Sequence, residues 1–222
     1  MKAGSSVAII DYGLGNLFSV KHACEHAGLH AEITSDAWNV ERAAGVILPG
    51  VGAFGEAMAA LKKLGLAKIL RESAASGKPF LGICLGMQLL MKESFEFGRH
   101  EGLGIFEGSV LPLKKERACQ IPLKVPHIGW TGITPEGDWG SSLLRDLEPG
   151  VAMYFVHSFY CEPSDRTAAL SWTEFGDNFF CSSLRRGNIE AFQFHPERSG
   201  RQGLRVYENF AKRIKHAQGE RS

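Results

Sequence analysis

Short apolar runs alternate with helical stripes along the first half of the chain. Val7-Ala8-Ile9-Ile10 is one such run, closed by Asp11-Tyr12-Gly13. Leu17, Val20, Cys24 and Ala27 then recur at helical spacing and mark one face of a helix, with Asn16 placed as its N-cap. His30–Thr34 predicts a second strand, and Gly45–Leu48 a third that Pro49-Gly50 should end. Residues 57–70 are helical in pattern with a break near Gly65. Pro79–Ile83 predicts a fourth strand, and helical character resumes over Leu85–Met91. Continuous apolar strands separated by helices indicate a parallel sheet covered on both faces.

The second half changes period. Segments near 107–113, 121–134, 151–157, 167–174, 178–184 and 187–194 read as strands separated by Gly, Pro, Asp and Asn. Leu204, Tyr207, Ala211 and Ile214 share the face of a final helix. No repeat, low-complexity tract or composition break marks a linker. The expectation is one α/β domain over 1–222, with an ordered core over about 6–216, a parallel centre and a more antiparallel far side.

Composition narrows the class. The 222 residues are 44% hydrophobic and 22% charged with a formal net charge of +1, a balance that argues against disorder and against nucleic-acid binding. No apolar run reaches the length of a membrane span, and the N-terminus lacks the apolar stretch of a secretory signal. The five cysteines are Cys24, Cys84, Cys119, Cys161 and Cys181. Their odd number and the lack of any C-x-x-C pair disfavour both a disulfide framework and a zinc site. A reducing cytoplasm is the expected setting, with neither metal nor organic cofactor. Glycine is over-represented, at 26 residues against a usual share of about 7%, which implies either many loops or several tight turns with a task.

One such turn is Gly82-Ile83-Cys84-Leu85-Gly86-Met87-Gln88, a G-x-C-x-G pattern at a strand-to-helix junction. A nucleophile on this kind of elbow is exposed at the carboxyl edge of the sheet, and the following helix start favours thiolate. The same pattern also fits a buried, inert cysteine. A cysteine nucleophile needs a base and an orienting group. His195 qualifies: it follows an alternating strand in Gln193-Phe194-His195-Pro196-Glu197, and Glu197 lies two residues on. A surface H-x-E at a strand end is the alternative. Cys84 would attack, His195 would shuttle the proton and Glu197 would orient the imidazole. The oxyanion needs N–H donors. The Leu85 amide is one, and Pro49-Gly50-Val51-Gly52-Ala53-Phe54-Gly55, which lacks the Lys-Ser/Thr ending of a phosphate loop, offers Val51 and Gly52.

Together these pieces resemble the class I glutamine amidotransferases, whose pattern joins a G-x-C-x-G-x-Q elbow, a downstream H-P-E and a glycine-rich oxyanion strand. Asp11–Leu17, Pro49–Gly52, Pro126–Trp130, Tyr154–Ser158 and Gln193–Gly200 narrow the likeness to the glutaminase subunits of imidazole glycerol phosphate synthases. The resemblance implies a flavodoxin-like three-layer sandwich, a mostly parallel sheet with an antiparallel extension. It implies hydrolysis of glutamine through a Cys84 thioester and delivery of ammonia to a barrel-shaped cyclase subunit. The cyclase products would be imidazole glycerol phosphate and aminoimidazole carboxamide ribotide. It also implies that Gly50 and Gly52 shape the glutamine site, with Gln88, Glu96, His157, Ser158 and Phe159 contacting the substrate. Gly13, Gly15, Asn16, Trp130 and Arg198 would face the partner.

Three positions depart from the family pattern. Thr131 stands where Asn follows Gly-Trp, Arg198 where Lys follows H-P-E, and Phe95 where an acidic residue often precedes Glu96. They leave room for a relative that feeds ammonia to another acceptor, such as a surface-sugar amidation enzyme. A flavodoxin-like binding or scaffold protein with a structural Cys84 is the non-enzymatic alternative.

Overall fold

The computed structural model describes residues 6–115 and 123–219. The chain runs β1 (Ser6–Ile10), α1 (Leu17–His26), β2 (His30–Thr34), α2 (Ala37–Arg42), β3 (Gly45–Gly50), α3 (Phe54–Lys63) and α4 (Leu66–Ala75). It continues through β4 (Phe80–Cys84), α5 (Leu85–Leu89), β5 (Met91–Ser94), β6 (His100–Glu101) and β7 (Phe106–Pro112). The remainder is β8 (His127–Gly132), β9 (Thr134–Pro135), β10 (Ala152–His157), β11 (Phe159–Pro163), β12 (Ala169–Phe175), β13 (Asn178–Arg186), β14 (Ile189–Phe192) and α6 (Gly200–Gly219).

The central sheet has the order β2-β1-β3-β4-β14-β13-β11-β7-β5-β6. Strands β2, β1, β3, β4 and β14 are mutually parallel. From β14 onward the pairing turns antiparallel through β13, β11 and β7. The order reverses direction at β1, between β2 and β3, as in doubly wound α/β sheets, whose ligand crevices lie outside the carboxyl ends of the strands. Strand alternation sends Ala8, Ile10, Val46 and Leu48 to one face, where they pack on α2, α3 and α4. It sends Val7, Ile9 and Ile47 to the other, against α1 and α6. The result is three layers. A separate ribbon, β8 with β10, is antiparallel and lies beside the antiparallel half.

Several elements differ from the sequence expectation. β3 continues through Pro49 and Gly50. Beyond Ile47 it has lost its pairing with β1 and is held by β4 alone, so one edge needs no proline N–H. The break near Gly65 is real: Gly65 has φ +70° and separates α3 from α4. Helix α5 stops at Leu89, and Met91–Ser94 forms β5 instead. The sequence reading did not anticipate α2, β5, β6, β9 or β11. Asn16 occupies the N-cap position of α1, but its side chain makes no capping bond. Cys119 and the start of the strand expected over 121–134 lie outside the described residues.

Candidate active site

Cys84 is the last residue of β4 and the residue before α5. Its backbone sits at φ 53°, ψ −111°, a positive φ that a side-chain-bearing residue adopts only under constraint. The constraint is close packing on both sides. A Cβ placed on Gly86 would lie 1.8 Å from the Leu48 carbonyl oxygen, so the elbow rests directly on the backbone of β3. Register then sets Gly50 beside Cys84. The loop that leaves β3 turns through Gly52 at φ +95°. Tyr12 holds the start of this loop, its hydroxyl donating to the Pro49 carbonyl at 2.8 Å.

His195 follows β14 by three residues, and β14 is the parallel neighbour of β4. That pairing carries the imidazole to the same sheet edge as the thiol. His195 Nδ1 and Glu197 Oε1 are 2.7 Å apart, both side chains almost fully buried. The other ring nitrogen, Nε2, is buried without a hydrogen-bond partner. Burial alone would lower the His195 pKa, but the adjacent Cys84 sulfur and the Glu197 carboxylate outweigh it and raise it from 6.5 to about 10. The carboxylate fixes the ring so that Nε2 is the nitrogen left for proton transfer.

A cleft of about 340 Å³ opens at this edge, lined by Val51, Gly52, Cys84, Leu85, Gln88, Glu96, Phe97, Pro126, Val156, His157, Ser158 and Phe159. It therefore gathers residues from the β3 loop, the elbow, the β5–β6 turn and the β10–β11 junction. Of the residues expected to contact substrate, all but Gly50 are on this wall. Glu96 accepts from the Phe54 amide, which ties the β5–β6 turn to the start of α3. Gln88 donates from Nε2 to the Phe159 carbonyl at 2.9 Å and to Gln193 Oε1 at 3.0 Å. Both ring nitrogens of His157 are engaged within the chain, so the cleft meets this residue through its main chain and ring edge.

Gln193 is a site residue that the sequence reading left unassigned. It is fully buried, and its Nε2 points to Cys84 Sγ at 3.6 Å. The signal was its place two residues before His195, on the same face of an extended segment.

The docking-face candidates lie at the rim. Trp130 is 56% exposed rather than a core aromatic. It meets Tyr154 edge-on at 6.1 Å, and the Arg198 guanidinium covers the same Tyr154 ring at 4.7 Å. Asn16 and Gly13 are exposed and Gly15 partly so. Helix α1, which follows them, packs against the turn that carries Arg198. Among the described residues no cluster of His, Cys, Asp and Glu is arranged to hold a metal ion. No described helix is long and apolar enough to cross a membrane.

This geometry has counterparts among known proteins. The model of the family "Glutamine amidotransferase class-I" matches residues 8–214. A protein of Rhodopirellula baltica named imidazole glycerol phosphate synthase subunit HisH is 45% identical over 92% of this chain and 96% of its own length. The HisH subunit of Aquifex aeolicus is 44% identical over 92% of this chain and 95% of its own. Among solved structures, PurLQS from Thermotoga maritima superposes with a TM-score of 0.73 at 18% identity, covering 95% of this chain and 99% of that one. A second, described as a glutamine amidotransferase, gives 0.70 at 18%, covering 94% and 98%. At such identity these structures speak for the flavodoxin-like layering alone. The family match and the two relatives go further: the chain belongs to the class I glutamine amidotransferases, enzymes of glutamine-dependent amide transfer, and within them to the HisH subunits.

Proposed function

We propose that the chain is the glutaminase subunit of an imidazole glycerol phosphate synthase, acting as one catalytic unit over 1–222. Cys84 Sγ, giving its proton to His195 Nε2, attacks the side-chain carboxamide carbon of glutamine, and the new oxyanion is received by the amides of Val51, Gly52 and Leu85. Collapse expels the amide nitrogen as ammonia, with His195 Nε2 supplying the proton. The thioester left on Cys84 is then attacked by a water that His195 deprotonates, releasing glutamate and the thiol. Glu197 keeps the imidazole oriented in both halves. Gly50, Gln88, Glu96, His157, Ser158 and Phe159 shape the wall that holds glutamine. The observation that carries this reading is the buried His195–Glu197 pair with its spare nitrogen beside a thiol on a strained elbow.

Ammonia passes to a barrel-shaped cyclase subunit that makes imidazole glycerol phosphate and aminoimidazole carboxamide ribotide. Free ammonia protonates in water and loses its nucleophilicity, so a covered route preserves it. The docking face comprises Gly13, Gly15, Asn16, Trp130 and Arg198. An exposed Trp with an aromatic and an Arg packed beside it supports this choice, since Trp, Tyr and Arg are the usual interface anchors. The reducing, cytoplasmic setting is supported by free thiols at Cys24, Cys84, Cys161 and Cys181.

Glutamate release should be measured for the chain alone, with the cyclase, and with the cyclase and its nucleotide. The expected result is slow hydrolysis alone and a marked rise in the full complex. Fast hydrolysis alone, or no response to the cyclase, would move the acceptor to a different synthase.

A further inference from the structure

Two buried histidines take no part in the chemistry above. His127 opens β8, His157 closes β10, and the antiparallel register sets them opposite one another. His127 Nδ1 lies 3.1 Å from His157 Nε2. His157 Nδ1 is 2.9 Å from the Phe159 carbonyl oxygen, and His127 Nε2 is 2.8 Å from Thr131 Oγ1. The His127 ring is clamped between Phe155 and Phe175, with centroids 4.9 and 3.9 Å away and nearly parallel planes. Packing therefore holds the ring plane and leaves only its protons to be settled.

The donors follow by elimination. A carbonyl only accepts, so His157 Nδ1 carries a hydrogen. Burial holds both rings neutral, with pKa values lowered to about 3 for His157 and about 4 for His127. Each ring then has one N–H. His157 Nε2 must accept, so His127 Nδ1 must donate. His127 Nε2 must accept in turn, so the Thr131 hydroxyl must donate. At the Phe159 carbonyl this chain meets the one already described, in which Gln88 bonds to Phe159 and Gln193, and Gln193 reaches Cys84 Sγ. A single path of hydrogen bonds runs from Thr131, next to the exposed Trp130, to the nucleophile.

We infer that Thr131 is a positioning residue for the glutamine cleft. The Phe159 carbonyl sets the tautomers of His127 and His157, and the Thr131 hydroxyl, by donating to His127 Nε2, satisfies the far end of the chain and so holds the two rings, the Phe159 carbonyl and the Gln88 amide in place on the cleft wall. The inference rests on the glutaminase reading for its effect on catalysis, and on the hydrogen-bond geometry alone for the anchoring of His127. Thr131 touches no reacting atom. A residue of the same shape without the hydroxyl leaves His127 Nε2 as a buried acceptor with no donor. If that nitrogen takes the proton instead, two lone pairs face each other between the rings.

The test uses the full chain with Thr131→Val, which keeps the shape, and Thr131→Ser, which keeps the donor. Long-range 1H–15N correlation reads the tautomers of His127 and His157 and, from the nitrogen shift, the hydrogen bond at His127 Nε2. Steady-state hydrolysis, with the cyclase present, reads KM and kcat for glutamine. Thr131→Val is expected to keep the tautomers, to shift the His127 Nε2 resonance as that nitrogen loses its donor, and to raise KM about five- to tenfold with little change in kcat. Thr131→Ser should match the parent in both. A parent-like His127 Nε2 resonance and KM in Thr131→Val would overturn the inference, as would a Thr131→Ser that behaves like Thr131→Val. If the parent itself released no glutamate, the glutaminase reading would fall, while the His127 Nε2 resonance would still decide the role of Thr131.

Discussion

His195 and the pair His127–His157 stand at the same edge of the molecule and are all buried, yet their acidities move in opposite directions. His195 is raised to about 10, whereas His127 is lowered to about 4 and His157 to about 3. Desolvation pushes all three down. The difference is in the partners: a carboxylate and a thiol bracket His195, while the other two hydrogen-bond each other, a carbonyl and a hydroxyl, and the charge of neighbouring His195 pushes His157 further down. Burial sets the baseline, and the charge of the nearest group sets the sign. One region is therefore built to favour a charged imidazole and the other to keep its imidazoles neutral.

The largest effect comes from removing the groups that make His195 different. Cys84→Ala should lower glutamine turnover at least about 10⁴-fold, and Glu197→Gln by about 10² to 10⁴, measured as glutamate release in the complex. Parent-like turnover in either would end the division between a working and a holding region.

A smaller effect sharpens the same contrast. Cys84 is the largest of the influences that raise His195. In Cys84→Ala the His195 titration, followed by NMR, should fall well below 10, while His157 scarcely moves. An unchanged His195 would credit Glu197 alone with the upward shift.

The smallest effect is on stability, and its sign differs between the two regions. A histidine raised in the folded state stabilises fully below its unfolded pKa, near 6.5, and loses that contribution as pH climbs toward about 10. Histidines lowered in the folded state contribute above 6.5 and lose it as pH falls toward about 4 and 3. The Tm profile should decline on both sides of neutrality. His195→Asn should flatten the alkaline limb and His127→Phe the acid limb, each by about 2–4 °C across its window. Parallel profiles for the two variants would contradict the opposite shifts.

The candidate triad in this contrast was legible in the sequence because its two motifs are each local. Cys84 sits between two glycines on a strand-to-helix turn, and Glu197 follows His195 by two residues. The parallel core was legible for a similar reason, since Val7–Ile10, Gly45–Leu48 and Phe80–Ile83 are apolar on both faces. The holding region was not. Gln88 and Gln193 are 105 positions apart, and His127 and His157 are 30 apart. Nothing in a glutamine or histidine announces a distant partner. Helix α2 was missed although its start signal was present: the Asp36 side chain accepts from the Trp38 amide at 2.8 Å. Six residues are too few for a hydrophobic stripe to show. Strand β11 was missed because Phe159–Pro163 is short and ends on proline, and its place comes from pairing with β7.

The contact of Gly86 with the Leu48 carbonyl bears on what can be altered in this enzyme. The smallest possible side chain at that position would meet main chain on the facing strand, which has no rotamer with which to yield. The displaced strand is the one that ends in Pro49-Gly50, beside Cys84. Saturation mutagenesis there should return glycine alone among active clones. Any redesign for a substrate other than glutamine has to be sought across the cleft, on the turn bearing Phe97 and the junction at Ser158, where side chains border open space.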